Sequence, residues 1–370
     1  MLLFILAFLT LFGGLNLYIY FVISSGLGYT SWPIAVILAA LVLSPILLRL
    51  AETRAPRIVT ITIAWVGYNW MGISFLFGAI ALLVDVAQQF LPTLSQRDAL
   101  VIVGSLSFVA SCYGFIESRR IRIRYLKVQS PQLDFDEEKP FRVIQISDVH
   151  LGFGTLPGQV RGIVEKVKSL QPDLLVSTGD LFDTDLDHLG PYVDQLKSIQ
   201  PPKGKLAVSG NHEVYAGLDK AIELTKAAGF QLLQSESVQV APNLYVAGVD
   251  DPEALEGKPT AEAELEALND LPPSAFTLLL KHRPHISPST VDHWSLQLSG
   301  HTHGGQIFPF IFMTRLQYKA RHGLSRIAQK SYLYLSRGTG SWGPQLRVFA
   351  PPEITVIDLS QGPAFKIEKL

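Results

Sequence analysis

The chain has 370 residues, of which 48% are hydrophobic and 17% charged, with a formal net charge of -1 and one cysteine. The length leaves room for two domains, and the single thiol, Cys112, excludes an intramolecular disulfide. No sustained Lys/Arg tract or stacking-aromatic pattern marks the C-terminal part, so no nucleic-acid partner is expected.

The near-zero charge hides a division. Residues 1–118 are mostly apolar, whereas 119–370 are an ordinary soluble mixture. Four stretches, 2–23, 33–48, 61–84 and 99–116, approach or exceed the roughly 20 apolar residues that span a bilayer, and the second is the shortest. A cleaved signal peptide is the rival reading of the first, but no basic residue precedes it and no small-x-small site is obvious. Gly, Ser and Thr within these runs suit close helix packing in lipid. An all-α, four-helix transmembrane region is therefore expected over 1–118.

Basic residues set the expected orientation. Arg49, Arg54 and Arg57 lie between the second and third stretches, and Arg119, Arg120, Arg122, Arg124 and Lys127 follow the fourth. The connection between the first two stretches has no charge. Lys/Arg excess marks the cytoplasmic side, so the expectation is a multi-pass protein in the lipid bilayer with its 119–370 domain in the cytoplasm. Residues 120–125 alternate basic and apolar, which predicts a half-buried strand that also presents a basic face.

Beyond it, apolar runs at 141–146, 174–177 and 205–208 predict buried strands. Helical patterns follow them at 157–169, 189–199 and 218–228. This alternation implies an α/β layered domain with a largely parallel sheet. Residues 238–249, 276–280, 296–299, 332–336 and 353–359 look extended, which suggests two packed sheets with helices outside.

Five polar clusters each follow an expected strand. They are Asp148-Val149-His150, Gly179-Asp180, Gly210-Asn211-His212-Glu213, Lys281-His282 and Gly300-His301-Thr302-His303. In open α/β sheets the ligand crevice lies beyond the carboxyl ends of the strands, so segments far apart in sequence can converge there. The donors are carboxylate, amide and imidazole, a set that suits first-row divalent ions such as Mn, Fe or Zn and not a structural zinc site. Two such ions generate hydroxide at neutral pH and neutralise a phosphoryl group. Glycines 179, 210 and 300 are expected to permit tight turns before the ligands. His188, His285, His293 and His322 stand alone and are read as structural. The apolar run 307–313 reads either as a buried strand or core loop, or as an exposed lip touching lipid. Arg337 and Gln306 are the candidate substrate-binding residues, with Arg337 following a strand and preceding Gly338-Thr339-Gly340.

In order and spacing these clusters resemble the full motif set of the calcineurin-like metallophosphoesterases over residues 140–310. The run Gly300-His301-Thr302-His303-Gly304-Gly305-Gln306 resembles the last motif of the membrane-anchored branch. The resemblance implies a four-layer α/β/β/α sandwich holding two divalent metal ions. It implies Asp148, His150 and His303 as ligands of one ion, Asn211, His282 and His301 as ligands of the other, and Asp180 as the bridge. His212 would protonate the leaving oxygen or contact the phosphate, and Glu213 would orient it. The implied activity is metal-dependent hydrolysis of a phosphodiester, phosphomonoester or pyrophosphate through a hydroxide held between the ions, with a lipid-linked substrate among the candidates. A protein phosphatase and a ligand-binding membrane sensor are the alternative readings.

Overall fold

The computed structural model describes residues 2–370, with side chains described from Leu6 onward. Two units emerge, each with its own interior. One holds the described residues up to Ser118 together with 307–309 and 343–349, and the other holds the remainder.

The first unit contains helices α1 (Leu2–Leu27), α2 (Trp32–Val42), α3 (Ser44–Arg54), α4 (Arg57–Gln88) and α5 (Gln96–Glu117). Helices α1, α4 and α5 are long and apolar enough to cross a membrane, and the pair α2–α3 makes a fourth candidate bent by 60° at its break. The expected span at 33–48 is therefore not one straight helix. Pro45 lacks an N–H and its ring crowds the carbonyl of Leu41, so the ladder stops and restarts with Ser44 and Pro45 in the first turn of α3. Leu11, Phe21, Leu82, Val101 and Phe108 are exposed, as suits helices whose solvent is lipid. Small residues make the interior. A Cβ at Gly72 would meet Pro344 at 2.9 Å, and one at Gly114 would meet Leu346 at 2.8 Å. The side-chain oxygen of Asn69 accepts the backbone N–H of Gln345 at 3.0 Å. The later segment 343–349 is thus packed among the helices of its own unit.

The second unit is built from β1 (Arg122–Ser130), β2 (Phe141–Ile146), α6 (Pro157–Ser169), β3 (Leu174–Ser177), α7 (Gly190–Lys197), β4 (Lys205–Ala207), α8 (Asn211–Ala227) and β5 (Gln231–Leu232). It continues with β6 (Glu236–Ala241), β7 (Leu244–Val249), α9 (Thr260–Leu268), β8 (Phe276–Lys281), β9 (Leu296–Ser299), α10 (Phe310–Gln317), β10 (Gly323–Arg326), β11 (Tyr332–Leu335), β12 (Glu353–Gln361) and β13 (Lys366–Lys369). One sheet has the order β13-β1-β12-β2-β3-β4-β5 and the other β10-β11-β9-β8-β7-β6. Strands β2 to β5 run parallel in the first, and β7, β8, β9 and β11 run parallel in the second.

The period-two alternation of β1 puts Ile123 and Tyr125 against the helical side and Leu126 and Val128 between the sheets. Three apolar layers result. Ile144, Leu175 and Val356 pack against α6, α7 and α8; Val143, Val176, Leu278 and Leu298 fill the space between the sheets; Ala247, Val249 and Leu279 meet α9. This is the four-layer α/β/β/α sandwich, preceded by apolar helices. Residues 238–249 make two strands, because Pro242-Asn243 turns the chain with Asn243 in the left-handed region, which Asn tolerates.

Candidate metal centre

Strands β2, β3 and β4 of one sheet and β8 and β9 of the other each end where a polar cluster begins. The chain then turns sharply. Asp148, His150, Asp180, His301 and His303 all have φ between 50° and 73°. Side chains other than glycine rarely take this left-handed conformation, which costs on the order of 1–3 kcal/mol each and gathers at functional sites. The loops brace one another. The N–H of Asp148 donates to Gly179 O and that of His150 to Asp180 O, both at 3.0 Å.

Among the described residues three donor groups form. Asp148, His150 and His303 offer ligand atoms within 4.8 Å of one another, and so do Asp180, His282 and His301, and His150, Asp183 and His212. His150 Nε2 and His303 Nε2 are 2.9 Å apart, and Asp148 Oδ1 is 3.4 Å from His303 Nε2. Asp180 Oδ2 joins the groups, lying 3.0 Å from His282 Nε2 and 3.6 Å from His150 Nε2. His282 Nδ1–H donates to Thr178 O at 2.8 Å, which leaves Nε2 facing the carboxylate. Asn211 Oδ1 is buried without a hydrogen-bond partner. Such an orphan costs about 1–3 kcal/mol unless a cation or water completes it. Hard oxygen donors, imidazole nitrogens and an unsatisfied amide oxygen around one carboxylate fit a pair of divalent metal ions.

The charges are arranged to suit. Burial raises Asp148 to about 6, against the pull of His282. Burial would raise Asp180 too, but the charge and hydrogen bond of His282 outweigh it and hold that carboxyl well below the usual range. Burial opposes the charge of His282, yet Asp180 pushes it up to about 10. His150 falls to about 4 and His301 to about 3, through burial first and then through neighbouring imidazoles. Both are neutral near pH 7, the form that ligates.

Around these groups the expected residues take less expected places. His212 Nδ1 meets Asp183 Oδ1 at 2.7 Å, and the backbone N–H of His212 donates to Asp180 Oδ1 at 2.9 Å. Asp183 was not singled out, although its position three residues after Asp180 was the available signal. Glu213 does not orient His212. It accepts from the backbone N–H groups of Gly210, Phe182 and Asp180 at 2.7, 2.9 and 3.0 Å, and so ties the second and third clusters together. Gln306 is not free for substrate, because its amide donates to Trp342 O at 2.8 Å and accepts from Trp342 N at 2.9 Å. Arg337 pairs with buried Glu353 at 3.6 Å and lies against Gly304.

The rings of Tyr215 and Trp342, both exposed, sit 5.5 and 5.6 Å from His212. Arg283, beside His282, clamps buried Asp251 at 2.8 and 2.9 Å. Of the three glycines, only Gly179 needs its backbone freedom, at φ 89°. Gly210 is extended and Gly300 lacks the left-handed φ; a Cβ would overlap Asp180 Oδ1 at the first and Asp148 Oδ2 at the second. Those two are required for room.

A family model described as calcineurin-like phosphoesterase matches residues 141–305. An Aquifex aeolicus protein named an uncharacterised metallophosphoesterase is 32% identical over 257 residues, which cover 69% of this chain and 97% of that one. A Campylobacter jejuni protein of similar name is 34% identical, over 64% of this chain and 63% of its own. A Danio rerio transmembrane protein with metallophosphoesterase domain is 33% identical, over 60% of this chain and 53% of its own. Agreement along nearly the whole Aquifex protein settles the family, and this chain belongs to the calcineurin-like metallophosphoesterases.

Proposed function

We propose that the protein is a membrane-anchored hydrolase of phosphoric esters that works with two divalent ions of the Mn, Fe or Zn type. The observation that carries this reading is Asp180 Oδ2, placed between His282 Nε2 and His150 Nε2 and so shared by two donor groups. Asp148, His150 and His303 would hold one ion, Asn211, His282 and His301 the other, and Asp180 both. When bound, such a pair supplies hydroxide at neutral pH and neutralises charge on a phosphoryl group.

The chain's own residues do the rest. His212, with Nδ1 fixed on Asp183, presents Nε2 as the acid for the departing oxygen, a contribution of about 10²–10⁴-fold. Glu213 holds the loops that carry Asp180 and Asn211. Tyr215 and Trp342 flank His212 and would face the leaving group, which favours an ester with a large apolar or planar part. In a protein with several apolar helices, a lipid-linked phosphate ester fits this description. The basic segments at Arg54 and Arg57 and after Glu117 favour a catalytic domain in the cytoplasm.

The test is Asp180→Ala. The parent is expected to hold two metal ions per chain and to hydrolyse bis-p-nitrophenyl phosphate. The variant should lose both properties while its circular dichroism is retained. Full metal content in the variant would refute the shared-carboxylate assignment.

A further inference from the structure

From residue 293 to residue 352 the chain has no Asp or Glu, but it has seven Lys and Arg residues. Helix α10 lies inside this stretch and is tied to the metal-site loops at both ends. At its start, a Cβ on Gly305 would overlap the backbone of Ile311. Past its end, the buried ring of Tyr318 stands 5.4 Å from His301. Between these ties the helix shows water what a soluble domain buries: Phe312 is 54% exposed, Met313 61% and Leu316 88%. Leu316 follows Phe312 by four residues and Met313 by three, so the three share a face. Arg315, Lys319 and Arg321 are exposed beside it. An apolar face bordered by basic residues and free of acids is the pattern of a helix lying in a membrane interface.

We propose that α10 rests on an anionic phospholipid surface, with Phe312, Met313 and Leu316 in the apolar layer and Arg315, Lys319 and Arg321 at the headgroup phosphates. Charge complementarity supplies the occupant, and the apolar helices of the same chain supply the bilayer. Helix α10 and the apolar helices belong to one chain, so docking is an intramolecular step. Each basic side chain near an anionic surface favours docking by about fivefold.

The test uses the full chain with Cys112→Ser and Met313→Cys, carrying a polarity-sensitive fluorophore, in vesicles of phosphatidylcholine with or without about one-third phosphatidylglycerol. On the anionic vesicles the emission should shift to the blue, be quenched by spin-labelled lipid and be protected from aqueous iodide. Adding Arg315→Gln and Lys319→Gln should lower the docked-to-undocked ratio roughly 25-fold. The same fluorophore at Leu316→Cys repeats the reading at a second position. Equal access to iodide in both lipids at both positions would overturn the proposal. So would protection that follows protein density in the vesicle and not anionic lipid, since that result would assign the face to a second copy of the chain.

Discussion

In the proposed reaction His212 works through the bond on its far side. Burial acts to lower its pKa, but the hydrogen bond from Nδ1 to Asp183 and the charges of Asp180, Asp183 and Glu213 together outweigh burial and raise it above its ordinary value. Asp183→Asn should therefore keep the metal content and lower kcat by about 10²–10³-fold. Because the acid form of His212 is lost at lower pH once its pKa falls, the alkaline limb of the kcat profile should also move to lower pH. The loss should be smaller for a p-nitrophenyl ester than for an alkyl ester, since a good leaving group needs less help. An unmoved limb with unchanged selectivity between these esters would leave Asp183 a purely structural role. The donors Asp148, His150, Asp180, Asn211, His282, His301 and His303 stood out in the sequence because such residues at the ends of buried strands have few other uses. Asp183 did not, since an acid in a loop is ordinary. Glu213 was misread because adjacency in sequence is not adjacency in space: its carboxylate turns back to backbone amides and away from the neighbouring imidazole.

At the scale of elements, strands β2, β3 and β9 were legible to the residue because both of their faces are largely buried and apolar residues dominate them, with Arg142, Gln145 and Gln297 as interruptions. Helix α10 was not, because the run from Ile307 to Met313 is apolar at every position but the proline and carries no period. Strand β4 begins with a lysine, and the reason lies in its neighbours. Lys205 Nζ donates to Leu196 O in the last turn of α7 and to Ala228 O at the end of α8, with the Phe230 ring 5.1 Å away. One ammonium thus completes two helix C-termini, where a cation is favoured. Burial lowers its pKa to about 8. Between that value and the ordinary 10.5 the folded chain has released a proton that the unfolded chain still holds, so the contribution of Lys205 to stability rises with pH across this window and is smallest below it. Lys205→Met should destabilise by about 1–3 kcal/mol through the two carbonyls left unpaired. The gap in Tm between parent and variant should be wider at pH 9.5 than at pH 7.5, as differential scanning calorimetry would show. A gap that narrows as pH rises contradicts the burial argument.

For the whole molecule, the change of composition near residue 118 was plain in the sequence, whereas the return of 307–309 and 343–349 to the helical unit was not. That return rests on Gly72, Gly114 and Asn69 meeting residues more than 200 positions away, a pairing no local pattern encodes. The bent pair α2–α3 poses the remaining question of topology. If it spans, the ends of α1 and α5 lie on opposite sides; if it re-enters, they lie on the same side. Charge decides between these. Residues 28–31 carry none, while Arg54 ends α3, Arg57 begins α4, and Arg119 and Arg120 follow α5. The uncharged turn belongs outside and the basic segments inside, so the pair should span and the catalytic domain should be cytoplasmic. With Cys112→Ser as background, Tyr29→Cys should react with a membrane-impermeant maleimide on intact cells. Glu137→Cys should react only after the cells are opened. Tyr29→Cys protected until opening would identify α2–α3 as re-entrant, and Glu137→Cys reactive from outside would place the catalytic domain on the other face of the membrane.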